Sequence, residues 1–472
     1  MTGAAQQLLS KTRLVALPRM QKLICAPLFR AENSCLPAAV DLDMLLRVLL
    51  ISSKHGAQTC GQAVSSKPKA RTDPKIMNIK SAVSRRKFMG GLALAAGYIG
   101  FRPESNLMAG MPPSELGPDG RPISTEGYDK LAKLCFNENP YGPPESVMEA
   151  MKAGLRYASR YGNPDGGITE AIAEHHGVSP NNIILGAGSS EILDVVDETF
   201  LQGGKKVIGV RPSYGSVYEF ARGVKSDSIQ IDLLPDHRQD IPAMIQAVKD
   251  NRQDIGFVYL CNPNNPTGSV VTKTEVKQLL DGIPGDMPVL IDEAYHHFVE
   301  NPDYATSVPY VIEGRPVIVA RTFSKIVGLA GMRLGYGIAP ESLIARMEPR
   351  SIASINTVVK WGAVAGLKDT AAQAKVKSMT IHLRQKTANE LTALGYDVIP
   401  SETNFFMVHI RRPVRPVIGA FHQRGVLVGR PFPPMDDYLR VSVGNADEMA
   451  RFMVAFKEIF PAGHGVAAAK PA

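Results

Sequence analysis

The sequence predicts an α/β fold: a mostly parallel sheet covered by helices on both faces, with a smaller α+β layer appended toward the C-terminus. Three observations carry this. From about residue 130, short β-branched runs alternate with segments whose apolar residues recur at helical spacing. After residue 400 the rhythm changes to strands with two intervening helices. The composition, 44% hydrophobic and 21% charged over 472 residues, is that of an ordinary soluble enzyme and excludes a disordered chain.

Taken in order, strands are expected at Asn182 to Leu185, Lys206 to Val210, Gly256 to Leu260, Val289 to Ile291 and Val317 to Ala320. Helices are expected at Ser189 to Phe200, Ile241 to Val248 and Lys273 to Leu280. The later layer reads as strands Asn404 to Ile410, Gly425 to Gly429 and Tyr438 to Gly444, with helices around Val414 to Gln423 and Ala446 to Phe460. This places an N-terminal arm and part of the small domain at 111–160, a large domain at 161–360, the small domain at 361–463 and a disordered tail at 464–472. No internal repeat is visible.

The net charge of +8 is a property of the front of the chain. Residues 1–110 hold 16 Lys/Arg against 5 Asp/Glu, whereas the remainder holds 37 against 40. No basic stripe with interleaved aromatics marks the body as a nucleic-acid binder. Of five cysteines, only Cys135 and Cys261 lie in the body, and no metal-ligand or disulfide spacing is present. In the front segment, Arg85-Arg86 stands directly before a weakly apolar stretch that is shorter than the ~20 residues needed to span a bilayer. Residues 77–110 resemble a bacterial twin-arginine signal, which implies the twin-arginine export machinery as a partner and a periplasmic or otherwise exported protein, cleaved or anchored. A cytoplasmic location follows if the signal is not used. Met77 begins a run shaped like a signal's basic start, so residues 1–76 read as upstream sequence ahead of the true start.

The chemistry sits at predicted strand ends. Thr322-Phe323-Ser324-Lys325 follows one apolar strand, with Arg333 eight positions beyond the lysine. A lysine between hydroxyl residues, with an arginine nearby, suits a Schiff-base lysine whose neighbours hold a phosphate; a solvated surface lysine is the plain alternative. Cys261-Asn262-Pro263-Asn264-Asn265-Pro266-Thr267-Gly268 and Asp292-Glu293-Ala294-Tyr295 each end another strand. Ligands of open α/β sheets bind beyond the carboxyl ends of the strands, so the three segments converge on one crevice.

In this order the segments resemble fold-type I pyridoxal phosphate (PLP) aminotransferases, most closely the histidinol-phosphate aminotransferase branch. The likeness extends through Asn137-Glu138-Asn139-Pro140-Tyr141-Gly142, Arg160-Tyr161, Gly186-Ala187-Gly188-Ser189-Ser190-Glu191, Pro212-Ser213-Tyr214, Thr403-Asn404-Phe405 and Leu439-Arg440-Val441-Ser442-Val443-Gly444. The resemblance makes 161–360 the PLP-binding domain and assigns roles. Lys325 forms the Schiff base and shuttles the proton. Asp292 pairs with the pyridine nitrogen, Asn265 and Tyr295 with the ring hydroxyl, and Tyr214 stacks on the ring. Gly188, Ser189, Ser190, Thr322, Ser324 and Arg333 hold the phosphate. Tyr161 reaches the phosphate of the neighbouring subunit, which implies a homodimer. Arg440 grips the substrate carboxylate, Asn404 orients that arginine, Tyr141 lines the entrance and Arg430 offers a further cation for a substrate phosphate. No metal is implied.

The implied activity is transfer of an amino group from an amino acid or related amine, histidinol-phosphate-like or aromatic, to a 2-oxo acid. A PLP decarboxylase or C–S lyase on the same scaffold is the competing reading, because the cofactor's electron sink serves several bond cleavages. A non-catalytic PLP-binding protein is disfavoured by the completeness of the set Lys325, Asp292, Asn265, Tyr295 and Arg440.

Overall fold

A computed structural model describes residues 124–461, residue 353 excepted. The proposed signal, the upstream residues 1–76 and the tail 464–472 lie outside the described residues. The strands in chain order are β1 (Ala132–Leu134), β2 (Ile183–Gly186), β3 (Lys206–Arg211), β4 (Ser228–Asp232), β5 (Ile255–Cys261), β6 (Val289–Asp292), β7 (Val317–Thr322), β8 (Gly335–Ile338), β9 (Asp397–Val398), β10 (Phe405–His409), β11 (Val426–Val428) and β12 (Tyr438–Ser442).

The central sheet has the order β2-β8-β7-β6-β5-β3-β4. Neighbours from β7 through β4 run parallel, and β8 runs antiparallel to both β7 and β2. Its middle strands are buried on both faces, and side-chain alternation divides them. Val258, Ile291, Val317 and Val319 enter one core, while Phe257, Leu290, Ile318 and Ala320 enter the core on the other face. A strand covered twice must be apolar at every position, which is why these segments read as unbroken β-branched runs.

The crossover helices start where the sequence supplies caps. The Asp240 side chain accepts from Ala243 N ahead of helix Ile241–Asp250, and Thr272 with Glu275 forms a reciprocal capping box ahead of helix Lys273–Gly282. Helix Thr357–Lys368 runs across position 360, where the sequence places the edge of the large domain. Its Val359, Ala363 and Leu367 join Val147 in the core of the central sheet, so the apolar boundary falls after this helix.

A separate core is built by the antiparallel sheet β12-β10-β9, the parallel pair β1-β11 and helices Val414–His422 and Ala446–Ile459. Phe421 and Phe452 stack at its centre, with Phe456 tilted against both. The 24-residue helix Thr370–Ala393 passes between the cores and buries Thr380, Arg384 and Thr387 along with Leu391. Among the described residues no helix is long and apolar enough to cross a membrane.

One residue works against this packing. Asp197, on helix Ser189–Phe200, is fully buried and neither carboxylate oxygen has a hydrogen-bond partner. Burial pushes its pKa well above the usual carboxylate range, with Asp194 adding to the effect. The folded carboxyl therefore holds a proton that the unfolded chain releases near pH 4, and the cost of folding grows as pH rises above that point. Asp197→Asn is expected to stabilise the protein by about 1–3 kcal/mol at pH 8, with a smaller gain at pH 5, in paired thermal melts; a destabilisation at both pH values would contradict the assignment.

Candidate active site

The parallel strands end on one edge of the sheet, and the polar segments follow them directly. A cavity of about 200 Å³ opens there, lined by Ser189, Ser190, Tyr214, Asp292, Tyr295, Thr322, Ser324, Lys325 and Arg333, with Phe136 and Glu138 as an opposing wall. Nine of the residues singled out in the sequence thus meet around one space.

Asp292 lies at the floor. Its Oδ1 accepts from Ala294 N at 3.1 Å and its Oδ2 accepts from the Tyr259 hydroxyl at 3.4 Å. Burial raises the carboxyl to about 6, against the opposing pull of those two donors. Lys325 Nζ donates to the Phe136 carbonyl at 3.1 Å. Burial lowers the amine to about 8, partly offset by the nearby Glu138 carboxylate. A lysine so placed has a neutral, nucleophilic population near neutral pH.

Beyond the lysine, a hydrogen-bonded chain leads to Arg440. The Tyr295 hydroxyl accepts from Asn137 Nδ2 at 3.1 Å and from Asn265 Nδ2 at 3.3 Å, and Asn265 Oδ1 accepts from Arg440 Nη1 at 2.8 Å. Arg440 Nη2 donates to the Cys135 carbonyl. Its Nε is buried and unpartnered, and burial lowers the guanidinium to about 10. A buried cation with a spare N–H is a receptor for an anion.

At the other end, helix Ser189–Phe200 begins at Gly188, whose φ of 82° lies in the left-handed region. A Cβ on Gly188 would sit 2.2 Å from Arg333 Nη2, so only glycine lets the arginine lie across the helix start. Gly335 answers the same need from below, since a Cβ there would meet Ser189 N at 2.2 Å. Arg333 Nη1 and Nη2 rest on the Ala330 and Ala187 carbonyls, and the Thr322 hydroxyl donates to Ser324 Oγ at 2.9 Å. Free N–H groups at a helix start, hydroxyls and a guanidinium form a donor set for a phosphate. With Lys325 at one end and Asp292 beneath, the residues present fit PLP.

Four of the expected residues lie elsewhere. Asn404 does not orient Arg440: its Nδ2 donates to the Asn137 and Glu138 carbonyls at 2.9 and 3.3 Å, and the arginine is held by Asn265 and Cys135 instead. Tyr141 lines a neighbouring apolar cavity of about 370 Å³ with Ile326, Val327 and Met379. Arg430 lines a third, smaller cavity with Arg211, Arg222 and Glu219, although it shares the Phe432 ring with Arg440, the two guanidinium carbons lying 4.3 and 4.7 Å from the ring centroid. Tyr161 is fully exposed.

No role for residues 135–138 is read from the sequence, although Asn137-Glu138 opens one of the family-like runs. In the structure every one of them is gripped by the site. Cys135 O accepts from Arg440, Phe136 O from Lys325, and Asn137 and Glu138 O from Asn404. Asn137 N donates to Ser442 Oγ at 2.9 Å, and Asn137 Oδ1 accepts from the same hydroxyl at 2.7 Å. The available signal was the motif itself: Asn137 has φ 56°, a conformation that asparagine tolerates better than most residues.

A mostly parallel sheet with a lysine, a carboxylate and a phosphate cradle at its strand ends defines a PLP-dependent enzyme of fold type I. Residues 129–456 match the model of the aminotransferase class I and II family, and the chain belongs to that family. It is 35% identical over 351 residues to a histidinol-phosphate aminotransferase of Moorella thermoacetica, covering 72% of this chain and 89% of that one. A histidinol-phosphate aminotransferase of Carboxydothermus hydrogenoformans is also 35% identical, over 71% of this chain and 92% of its own. The crystal structure of histidinol-phosphate aminotransferase from Sinorhizobium meliloti in complex with pyridoxal-5'-phosphate superposes with a TM-score of 0.66 at 25% identity, over 76% of this chain and 94% of that chain. The protein is a PLP-dependent transaminase.

Two groups set how the cofactor loads. A carboxylate at Asp292 is available above about 6, and a neutral amine at Lys325 above about 8. Recovery of the visible cofactor band after PLP is added to the cofactor-free protein is expected to speed up as pH is raised from 6 to 8. A rate that is flat across this window would show that neither group limits loading.

Proposed function

We propose that this aminotransferase takes its amino group from a carboxylate- or phosphate-bearing L-amino donor and passes it to a 2-oxo acid, with Arg440 as the anion receptor and Lys325 as the proton carrier. The observation that carries the reading is the chain Tyr295–Asn265–Arg440, which fixes a buried guanidinium on the carbonyl next to the one that holds the lysine.

Bound PLP supplies an electron sink for the negative charge that develops at the donor's Cα. The protein's residues do the rest. Arg440 holds the donor's anionic group as a planar fork that lysine could not imitate. Lys325, whose amine is lowered to about 8, would be the base that takes the proton from the donor's Cα and the acid that returns it on the cofactor side of the nitrogen. Asp292 would hold a proton on the ring nitrogen. Asn265 and Tyr295 would hydrogen-bond the ring oxygen, and Tyr214 would stack on the ring. Ser189, Ser190, Thr322, Ser324, Arg333 and the glycine at 188 would hold the phosphate.

The preference for a donor with a second anionic end rests on Arg430, which shares the Phe432 ring with Arg440. The histidinol-phosphate aminotransferase relatives favour a phosphate there. The fully exposed Tyr161 favours a homodimer in which it reaches the partner's cofactor site. The Arg85-Arg86 sequence favours export by the twin-arginine route, which carries folded proteins and so permits loading with PLP before transport.

The reading is tested by visible spectra of the holoenzyme mixed with single amino donors, histidinol phosphate among them. Conversion to the pyridoxamine form is expected, fastest with a donor carrying two anionic groups or a phosphate. A band that every donor leaves unchanged would favour decarboxylase or lyase chemistry instead. Arg440→Ala should raise the apparent KM for the donor at least tenfold, about 1.4 kcal/mol, with a smaller change in kcat; unchanged KM for both donor and acceptor would remove Arg440 from the site.

A further inference from the structure

The cavity uses one face of the strand ends; the opposite face of the same ends carries a second polar cluster to which no role has been given. Glu293 follows Asp292, and Arg321 precedes Thr322, so alternation sends both side chains away from the cavity into the core occupied by Ile291 and Val319. Both are fully buried. Arg321 Nε and Nη2 donate to Glu293 Oε2 at 3.1 and 2.6 Å. The remaining lone pairs and protons are also matched. Glu293 Oε1 accepts from Ser307 N at 2.6 Å, Oε2 accepts from the Thr306 hydroxyl at 2.9 Å, and Arg321 Nη1 meets His296 Nε2 at 2.6 Å. Since the guanidinium can only donate, His296 accepts at Nε2 as a neutral ring.

This is costly machinery for mere adhesion, because a buried ion pair often does no better than apolar residues of the same size. Its position is what distinguishes it. One partner is joined by a single peptide bond to the carboxylate of the cavity floor. The other is joined in the same way to the first residue of the Thr322–Lys325 turn. The backbone adds a further tie, Glu293 N donating to the Ala320 carbonyl at 2.9 Å.

We propose that the Glu293–Arg321 pair is a positioning element of the active site, which fixes the end of β6 against the end of β7 and thereby sets Asp292 and Lys325 at the separation the cofactor requires. This rests on the roles proposed above for Asp292 and Lys325. A loosened pair leaves both residues present and chemically intact but shifts one strand end relative to the other, and outer contacts of this kind typically change ligand affinity by about 10–100-fold.

The test is PLP retention by the full-length holoenzyme, read as loss of the visible band on dilution, alongside the melting temperature of the same protein with the cofactor removed. Arg321→Lys keeps the charge but loses the fork, and is expected to weaken PLP binding about tenfold. Should that variant fail to fold, Glu293→Met/Arg321→Met removes both charges together and carries the same expectation. Wild-type PLP affinity in either folded variant, with only the melting temperature lowered, would overturn the proposal and leave the pair a structural tie. Asp292→Asn in the same assay separates the two readings. If it too retains PLP like the wild type, the role given to Asp292 fails; if it loses PLP while the Arg321 variant does not, only the positioning inference fails.

Discussion

The constraint on which the rest of the structure depends is the double burial of the central strands. A polar side chain along β5, β6 or β7 enters a core and must be paired there, as Arg321 is by Glu293. Polar chemistry is therefore pushed to their ends, and because the three strands are parallel and adjacent, their carboxyl ends form one edge. Asn265, Asp292 and Lys325 come from three separate segments, yet they meet because each stands at or just beyond the carboxyl end of a strand of that sheet. The fold produces the constellation and no single loop does.

The same burial that collects these groups tunes them. Removing Asp292 from water raises its carboxyl, and removing Lys325 and Arg440 from water lowers theirs. Each shift opposes the charged form, so the site is unfavourable for its own ions until something arrives to pair them. A dianionic phosphate at the helix start, a ring nitrogen that can share a proton and a substrate carboxylate are the partners that relieve the strain. The site is thus arranged for its ligands at the expense of its ligand-free state.

Most of this was legible in the sequence. Continuous β-branched runs mark doubly buried strands, and capped segments at helical spacing mark the crossovers; helix Ser189–Phe200 has the predicted bounds. Among the elements that escaped, β8 and helix Thr370–Ala393 did so for clear physical reasons. In β8, the sequence Gly335-Tyr336-Gly337-Ile338 carries glycines because Cβ atoms there would collide with Ser189 N and Ile184, which makes a strand resemble a turn. Helix Thr370–Ala393 buries threonines and an arginine between the cores rather than an apolar stripe, so its periodicity is faint. Of the site, the residue types were readable but their partners were not. That Arg440 is held by Asn265 and a backbone carbonyl, and that Asn404 serves the backbone of residues 137 and 138, depends on contacts across more than a hundred residues of chain.

Residues 135–138 show why both cores are needed for one reaction. The segment leaves β1, whose Ala132 and Leu134 lie in the core of the small sheets, and crosses the mouth of the cavity formed by the large one. Arg440, Ser442 and Asn404 reach it from β12 and the approach to β10, and Lys325 and Tyr295 reach it from the ends of β7 and β6. Cys135 and Phe136 therefore receive hydrogen bonds from the group expected to bind substrate and from the group expected to move its proton, and the next two residues are held by Asn404. A displacement of either core is felt at this strap, because the backbone carbonyls it offers to Arg440 and Lys325 belong to neighbouring residues. Anion receptor and proton carrier are in this way anchored on successive peptide units of one strap, the Cys135 carbonyl for Arg440 and the Phe136 carbonyl for Lys325.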